Sequence, residues 1–459
     1  MLKQIPEEVK RAAEVLAGAG KKAYLVGGAL RDGLLGLVPK DWDVATDAPP
    51  EEVMNLFRRR GHAVVPTGIR FGTVAVFCGR LPVEITTFRT ENDYRDFRRP
   101  SLVRFSTDLL QDLRRRDFTV NALALDLVTG CLIDPFGGRR DLHLGIVRTV
   151  GPPRERFEED PLRMLRGFRL ASELGFRMDA AALVAAAARA ELLSKVAKER
   201  IQAEISRILT GPWAAEALPQ MALCGVLFAV IPELREGWGF PQRHPAHQWP
   251  VFQHLVETVR YVPGNLALRL AALLHDVAKP RCFFVDEQGV GHFFGHDRAS
   301  ADMAGHILRR LRWDNRTREA VVALVRWHMF PLVMAVKGIR RLVLRVGEER
   351  VKELLVLKQA DLLATGPVPT LQAEAALARF RQALEEVLHS REAISIRDLA
   401  VDGRDVMRVM GLSPGPEVGK VLRLLHQEVL AEPARNNREY LLERLSQLAK
   451  RRNPPSAGE

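Results

Sequence analysis

With 459 residues, 47% of them hydrophobic, the chain is long enough for several domains and too apolar to be disordered. Its 68 Lys and Arg outnumber its 56 Asp and Glu, and the net charge of +12 favours a polyanionic partner, while 7% aromatic residues argue against base-stacking platforms as the main binding device. No long apolar span or basic amphipathic anchor stands out, so no membrane partner is expected. Cys78, Cys131, Cys224 and Cys282, with no Cys-x-x-Cys pair, read as reduced core thiols of a cytoplasmic protein.

Met1 to Arg11 is charged and reads as a helix, so no signal peptide is expected; residues 1–20 carry Ile5, Val9, Ala12, Ala13 and Leu16 at helical spacing. From 22 to 90 the pattern is strand-like at Ala23–Val26, Trp42–Ala45, Ala63–Val65, Thr73–Phe77 and Val83–Thr86. A helix at Pro50–Arg60, opened by Pro50-Glu51-Glu52, separates the second from the third. These segments predict a small mixed sheet backed by helices, an α/β head. Beyond about residue 140 no further strand is predicted, and Phe157 to Leu448 reads as helices. Breaks fall at Thr210-Gly211-Pro212, Gly237–Pro250, Gly366-Pro367 and Ser413–Pro416, and Arg451 to Glu459 reads as a frayed end.

The head carries the first chemistry. The strand Lys22 to Val26 runs into Gly27-Gly28, and a helix is expected with Arg31 in its first turn; glycine admits a phosphate to the backbone, and a helix start attracts anions. In Lys40-Asp41-Trp42-Asp43, a strand would place both carboxylates on one face, where like charges repel unless a cation such as Mg²⁺ lies between them. Asp-x-Asp alone is a common turn, and Gly-Gly alone means little. The ordered run from Val26 to Thr46 is more specific. It resembles the polymerase β-like nucleotidyltransferase fold, in particular class II tRNA nucleotidyltransferases (CCA-adding enzymes) and bacterial poly(A) polymerases. That resemblance implies transfer of nucleotides from CTP and ATP to the 3′ end of tRNA, with Asp41 and Asp43 holding Mg²⁺ and Gly28, Arg31 and Arg116 seating the triphosphate. Glu84, in a β-branched strand, is either the third acidic residue of such sites or a solvent-facing strand residue.

Thr67-Gly68-Ile69-Arg70-Phe71-Gly72-Thr73-Val74 is similar to the Gly-x-x-x-Gly-Thr-Val strand of CCA-adding enzymes. The charge-dense run Thr87 to Ser106 reads as a solvated loop, and the resemblance implies a flexible loop needed to add the terminal A. Arg114-Arg115-Arg116-Asp117-Phe118-Thr119-Val120-Asn121-Ala122 resembles the family's Arg-Arg-Asp-Phe-Thr-x-Asn-Ala motif; Arg116 is the expected nucleotide contact, and Asp117 and Asn121 can hold a ribose or the loop itself. Asp134-Pro135-Phe136-Gly137-Gly138 reads as a structural turn.

Glu158-Glu159-Asp160-Pro161-Leu162-Arg163 begins a helix with Asp160 as its cap. Arg163 and Arg166 lie too near its positive end to serve helix stability, which points to an anionic ligand. Asp160 and Arg163, at i and i+3, can offer an acceptor and a donor fork to a base edge, matching the amine and ring nitrogen of cytosine or adenine. The string resembles the Glu-Asp-x-x-Arg protein template of class II enzymes. By that resemblance Asp160 and Arg163 pair with the base, Glu159 braces Arg163, and Arg166 and Arg169 assist; Lys198-Glu199-Arg200-Ile201 resembles a further motif of structural duty.

Beyond residue 250 stand His254, then Leu273-Leu274-His275-Asp276-Val277-Ala278-Lys279-Pro280, then His296-Asp297, His328 and Asp361. A single histidine is ordinarily a surface or capped residue, but an aspartate following an apolar helix needs a partner such as a metal. The order resembles the HD phosphohydrolase superfamily. That implies His254, His275, Asp276, His296, His328 and Asp361 as ligands of a transition metal (Mn, Fe, Ni or Co), with His292 and His306 as substitutes for His296.

The chain is therefore expected to be an α/β nucleotidyltransferase (polymerase β-like) head, 1–150, followed by an all-α neck, 151–235, an HD body, 236–365, and a helical, tRNA-gripping tail, 366–459. The expected partners are tRNA, CTP and ATP, and monomer and homodimer stay open. A poly(A) polymerase or A-adding enzyme is the rival within the class; an HD phosphohydrolase or RNA-binding factor with an inactive head is the rival outside it.

Overall fold

The computed structural model describes residues 5–94, 100–244, 247–366, 371–389 and 396–452. They fall into two compact units. One holds Met1–Trp238, Gly264–Arg269 and His306–Asp314; the other holds Gly239–Pro263, Leu270–Gly305 and Asn315–Glu459.

In chain order the first unit opens with α1 (Glu7–Ala17), β1 (Tyr24–Val26), α2 (Gly27–Leu34), β2 (Asp43–Thr46), α3 (Pro50–Arg59), β3 (Ala63–Gly68), β4 (Thr73–Phe77) and β5 (Pro82–Thr87). Proline at the start of α3, acids in its first turn and arginines in its last suit the helix dipole. There follow β6 (Arg89–Tyr94), β7 (Pro100–Phe105), α4 (Leu109–Arg114), β8 (Ala124–Asp126), β9 (Leu132–Ile133), α5 (Gly138–Leu144), β10 (Ile146–Val147), α6 (Pro153–Glu159), α7 (Leu162–Leu174), β11 (Arg177–Met178), α8 (Ala180–Ala187), α9 (Lys198–Thr210), α10 (Ala214–Leu223) and α11 (Val226–Val230).

Seven strands form one sheet in the order β3-β4-β5-β2-β1-β8-β9, with β2 and β5 parallel and the other neighbours antiparallel. The registers Val26↔Asp43 and Asp43↔Glu84 bring the end of β1, where Gly27 begins, beside two carboxylates. Val26, Ala45, Phe88, Leu109, Leu113 and Ala124 pack behind that edge as a buried cluster. This is the mixed sheet with helices that the sequence predicts.

From residue 251 the chain is almost wholly helical: α12 (Val251–Tyr261), α13 (Leu266–Leu274), α14 (His296–Arg310), α15 (Asn315–Trp327), α16 (Val336–Val346), α17 (Glu348–Thr365), α18 (Leu371–His389), α19 (Gly403–Met410), α20 (Pro416–Ala431) and α21 (Arg438–Arg452). The ribbon β12 (Phe284–Val285) and β13 (Gly291–His292) interrupts it. Leu399, Val406, Leu425 and Leu441 anchor a separate core near the C-terminal end of the second unit. No described helix is long and apolar enough to cross a membrane.

Four expectations need correction. Strands continue past residue 140, as β10 pairs with β11 and β12 with β13; two-residue strands are too short to show a period. The run Thr87 to Ser106 is not a loop: β6 and β7 pair as their own antiparallel ribbon, whose tip, with Arg95, Asp96, Arg98 and Arg99, lies outside the described residues. A free ribbon need not alternate apolar and polar residues as a core strand does. The helix after Val26 starts at Gly27 itself, leaving Arg31 in its last turn. Cys131 is exposed and Cys282 only half-buried, so the thiols are free but not all in a core.

Candidate functional site

A cavity of about 660 Å³ in the first unit brings Gly28, Asp43, Arg116, Asp160, Arg163 and Arg166 onto one surface, although the sequence scatters them over three motifs. Asp43 heads β2, with Glu84 beside it in register; Asp41 lies in the bend before the strand. The two aspartates are thus not on one strand, as expected, yet their charges still act on each other. Burial pushes the Asp43 carboxyl up to about 6, and Glu84 and Asp41 add to that rise while Arg116 opposes it. Mutually repelling carboxylates with hard oxygen donors fit a divalent cation.

Gly27 is required here. Its φ is +69°, and a Cβ would stand 3.2 Å from Arg116 Nη1 and 3.3 Å from Asp43 Oδ2. Buried Asp112 fixes the arginines, pairing with Arg115 at 2.7 Å and Arg116 at 3.2 Å. Although burial works against its charge, these guanidinium groups hold the Asp112 carboxyl below the ordinary range. Arg31 donates to Asn121 Oδ1 at 2.9 Å and pairs with Asp32 at 2.6 Å. Its guanidinium is thereby turned to the same corner, though it is not in the cavity lining.

Asp117 lines the same cavity, pairs with Arg166 at 2.6 Å and accepts from Asn121 Nδ2 at 3.2 Å. Burial alone would raise its carboxyl, but Arg166 outweighs that and brings it to about 2. Asp160 Oδ1 caps the Leu162 N–H at 3.1 Å, as expected of a helix cap, and Oδ2 pairs with Arg200 at 2.9 Å. Arg163, 7% exposed, is held by Glu159 and by the Arg156 carbonyl at 3.2 Å. Arg169 departs from its expected place, pairing with Glu204 at 3.1 Å outside the lining.

Arg200, which the sequence places in a motif of structural duty, has a contact with the site that the sequence does not show. It lines the cavity and grips Asp160 from 40 positions away, and no spacing rule reaches that far. Asp112 is missed too, although a carboxylate three and four positions before Arg115 and Arg116 is the helical pairing interval.

The second unit gathers the six expected His and Asp residues. His254 Nε2 lies 3.1 Å from His275 Nε2, 3.4 Å from Asp276 and 3.2 Å from Asp361. His296 Nε2 is 3.2 Å and His328 Nε2 3.5 Å from Asp276 Oδ1. His254, His275, Asp276, His296 and His328 are buried. Asp276 Oδ1, His296 Nε2 and His328 Nε2 lack good hydrogen bonds, an arrangement of convergent donors that fits a metal ion. His292 is instead tied to Asp286, and His306 is exposed, so neither substitutes for His296. Sequence reading missed Lys279, whose ammonium pairs with Asp276 at 2.6 Å, and His247, whose ring lies 5.3 Å from His254. Burial, then Lys279, pushes the His247 imidazole down to about 3, so it is neutral at ordinary pH.

Residues 23–148 match the family described as the poly A polymerase head domain, 175–237 the probable RNA and SrmB-binding site of polymerase A, and 296–445 tRNA nucleotidyltransferase domain 2, putative. The chain is 32% identical over 461 residues to the CCA-adding enzyme of Lactiplantibacillus plantarum, spanning 99% of this chain and 100% of that one. Against that of Geobacillus kaustophilus it is 34% identical over 437 residues, 93% and 94% of the two chains. The crystal structure of the Bacillus stearothermophilus CCA-adding enzyme in complex with CTP superposes with a TM-score of 0.72 at 28% identity, covering 97% of this chain and 98% of that one. The Thermotoga maritima CCA-adding enzyme complexed with tRNA shares the fold at 20% identity, with a TM-score of 0.59 over 97% of each chain. With the fold, the cavity and full-length similarity in agreement, this chain belongs to the CCA-adding enzyme family of nucleotidyltransferases.

Proposed function

We propose that the protein adds CCA to the 3′ end of tRNA from CTP and ATP without a nucleic-acid template. The observation that carries this reading is the meeting of Asp43, Arg116 and the Asp160–Arg163 pair in one cavity. Asp41 and Asp43, with Glu84 beside them, would hold Mg²⁺, which when bound supplies charge neutralisation for the attacking hydroxyl and the leaving pyrophosphate. Arg116 and Arg115, pre-set by Asp112, offer guanidinium forks to the triphosphate. The backbone at Gly27-Gly28 lets those phosphates approach closely.

Base choice falls to Asp160 and Arg163. Glu159 and the Arg156 carbonyl lock the Arg163 fork, and Arg200 with the Leu162 N–H orients the Asp160 carboxylate. An acceptor beside a donor suits the amine and ring nitrogen of cytosine and adenine; uracil and guanine would leave Asp160 facing a carbonyl oxygen. Arg166 braces the template helix through Asp117. The helical tail would grip the acceptor stem through phosphates, making primer affinity steeply salt-dependent. Extending a tRNA that lacks CCA with CTP or ATP separately is the test. Incorporation of C supports the reading, and A-only extension returns it to a poly(A) or A-adding enzyme.

A second activity is favoured by the three buried ligand atoms without good partners in the second unit. We propose that His254, His275, Asp276, His296, His328 and Asp361 hold a transition metal as an HD phosphohydrolase centre, whose metal-bound state supplies an activated water for phosphoester hydrolysis. Lys279 pairs with Asp276, and His247 stands beside His254. Metal analysis of the purified chain with release of phosphate from a 2′,3′-cyclic nucleotide or phosphomonoester tests it.

A further inference from the structure

The ribbon β12–β13 stands in the chain between the His-Asp motif and His296, and one of its faces is aromatic. Phe284 and His292 are cross-strand partners, and Phe294, in the turn just after β13, stacks against both. The rings of Phe284 and His292 lie 5.2 Å apart at 25°, those of His292 and Phe294 5.5 Å apart at 10°, and those of Phe284 and Phe294 5.4 Å apart at 35°. Phe294 is nevertheless 76% exposed and Phe284 44%. Phe293 between them turns inward, edge-on to His296 and under the Lys279 ammonium.

The face is held rigid without being covered. His292 Nε2 bonds Asp286 at 2.5 Å, and Asp286 Oδ1 also accepts the N–H groups of Gln288 at 3.0 Å and Val290 at 2.9 Å. Exposed Arg243 and Arg298 adjoin it: the Arg243 carbonyl accepts the Gly291 N–H at 2.7 Å, and the Arg298 N–H donates to the Gly295 carbonyl at 3.1 Å. Near-parallel rings in water, with two exposed arginine residues adjoining them along the backbone, suit flat aromatic ligands that carry negative charge; an apolar protein partner would find the arginines costly to bury.

We infer that this face is a stacking site for unpaired bases of single-stranded RNA, with Arg243 and Arg298 meeting the linking phosphates. Stacking here needs neither nucleotidyl transfer at Asp43 nor hydrolysis at Asp276, so its test stands apart from theirs. The full chain carrying Phe294→Trp is titrated with hexaadenylate and with an abasic ribose-phosphate hexamer of equal charge, and the unsubstituted chain supplies the background emission. Hexaadenylate should quench the added indole and the abasic hexamer should not; adding Phe284→Ala should weaken the hexaadenylate response by about tenfold. A 5-iodouridine hexamer, photocrosslinked to the unsubstituted chain and mapped by mass spectrometry, should attach within 284–294. No quenching at saturation, equal quenching by the two hexamers, or crosslinks confined to other segments would overturn the assignment. So would a Phe284→Ala/Phe294→Ala chain that loses self-association in sedimentation velocity while binding hexaadenylate as before.

Discussion

The molecule carries two carboxylate-centred sites built on opposite plans. Around Asp43 the acids edge a cavity and are balanced by arginines, themselves pinned by Asp112, Asp117 and Glu159. Around Asp276 the central acid is buried among imidazoles, and ligand atoms converge on one another instead of on a cavity. A site that must admit a bulky polyanion needs mobile water and fixed cations; a site that holds one ion needs desolvated donors at close range. The same residue, aspartate, serves both because its surroundings differ.

The comparison breaks most visibly by removing one acid at a time. Asp43→Ala should lower CMP incorporation by a factor on the order of 10³ or more, read in single-turnover extension, and leave phosphate release by the second site within about twofold. His275→Ala should do the reverse, stripping bound transition metal and hydrolysis while extension stays within about twofold. Loss of both activities in either variant would show that the sites are one structural unit and not two chemical ones.

Template substitutions sharpen the picture within the cavity. Asp160→Ala should cut discrimination of CTP over UTP by about 10- to 100-fold, with a change in triphosphate affinity of about threefold or less, as measured by kcat/KM and by direct nucleotide binding. Arg200→Ala, which frees the same carboxylate without deleting it, should give a smaller loss of about fivefold. Unaltered selectivity in both would remove Asp160 from the reading of the base.

The smallest effect concerns protons. Because the Asp43 carboxyl is pushed up to about 6, it is protonated below that pH and a cation must displace the proton. Mg²⁺ affinity should then rise about tenfold per pH unit up to about 6 and flatten above it. Asp43→Asn should abolish that slope in a Mg²⁺ titration; an unchanged slope would assign the proton to another group.

The aromatic content points the same way as these contrasts. At 7% it argues against stacking as the main binding device, yet placement gathers Phe284, His292 and Phe294 on one face, which no composition could disclose. Strings such as Arg114 to Ala122 and Glu158 to Arg169 were legible because their chemistry lies within a few residues, where helix and strand periods link neighbours. The two-residue strands past residue 140 and the β6–β7 ribbon were not, because the former are too short to show a period and the latter need not alternate; the turn of Arg169 was not, because its partner Glu204 lies 35 positions away.

By itself the sequence determined the α/β head and helical remainder, the acid and arginine motifs, and the six His and Asp residues of the second site, since periodicity and local motif spacing are properties of neighbouring residues. Only the tertiary structure decided that Arg200 orients Asp160, that Arg166 is spent on Asp117, and that Lys279 and His247 stand beside Asp276 and His254. Those are pairings across tens of residues, fixed by how buried charges find partners once the core has packed.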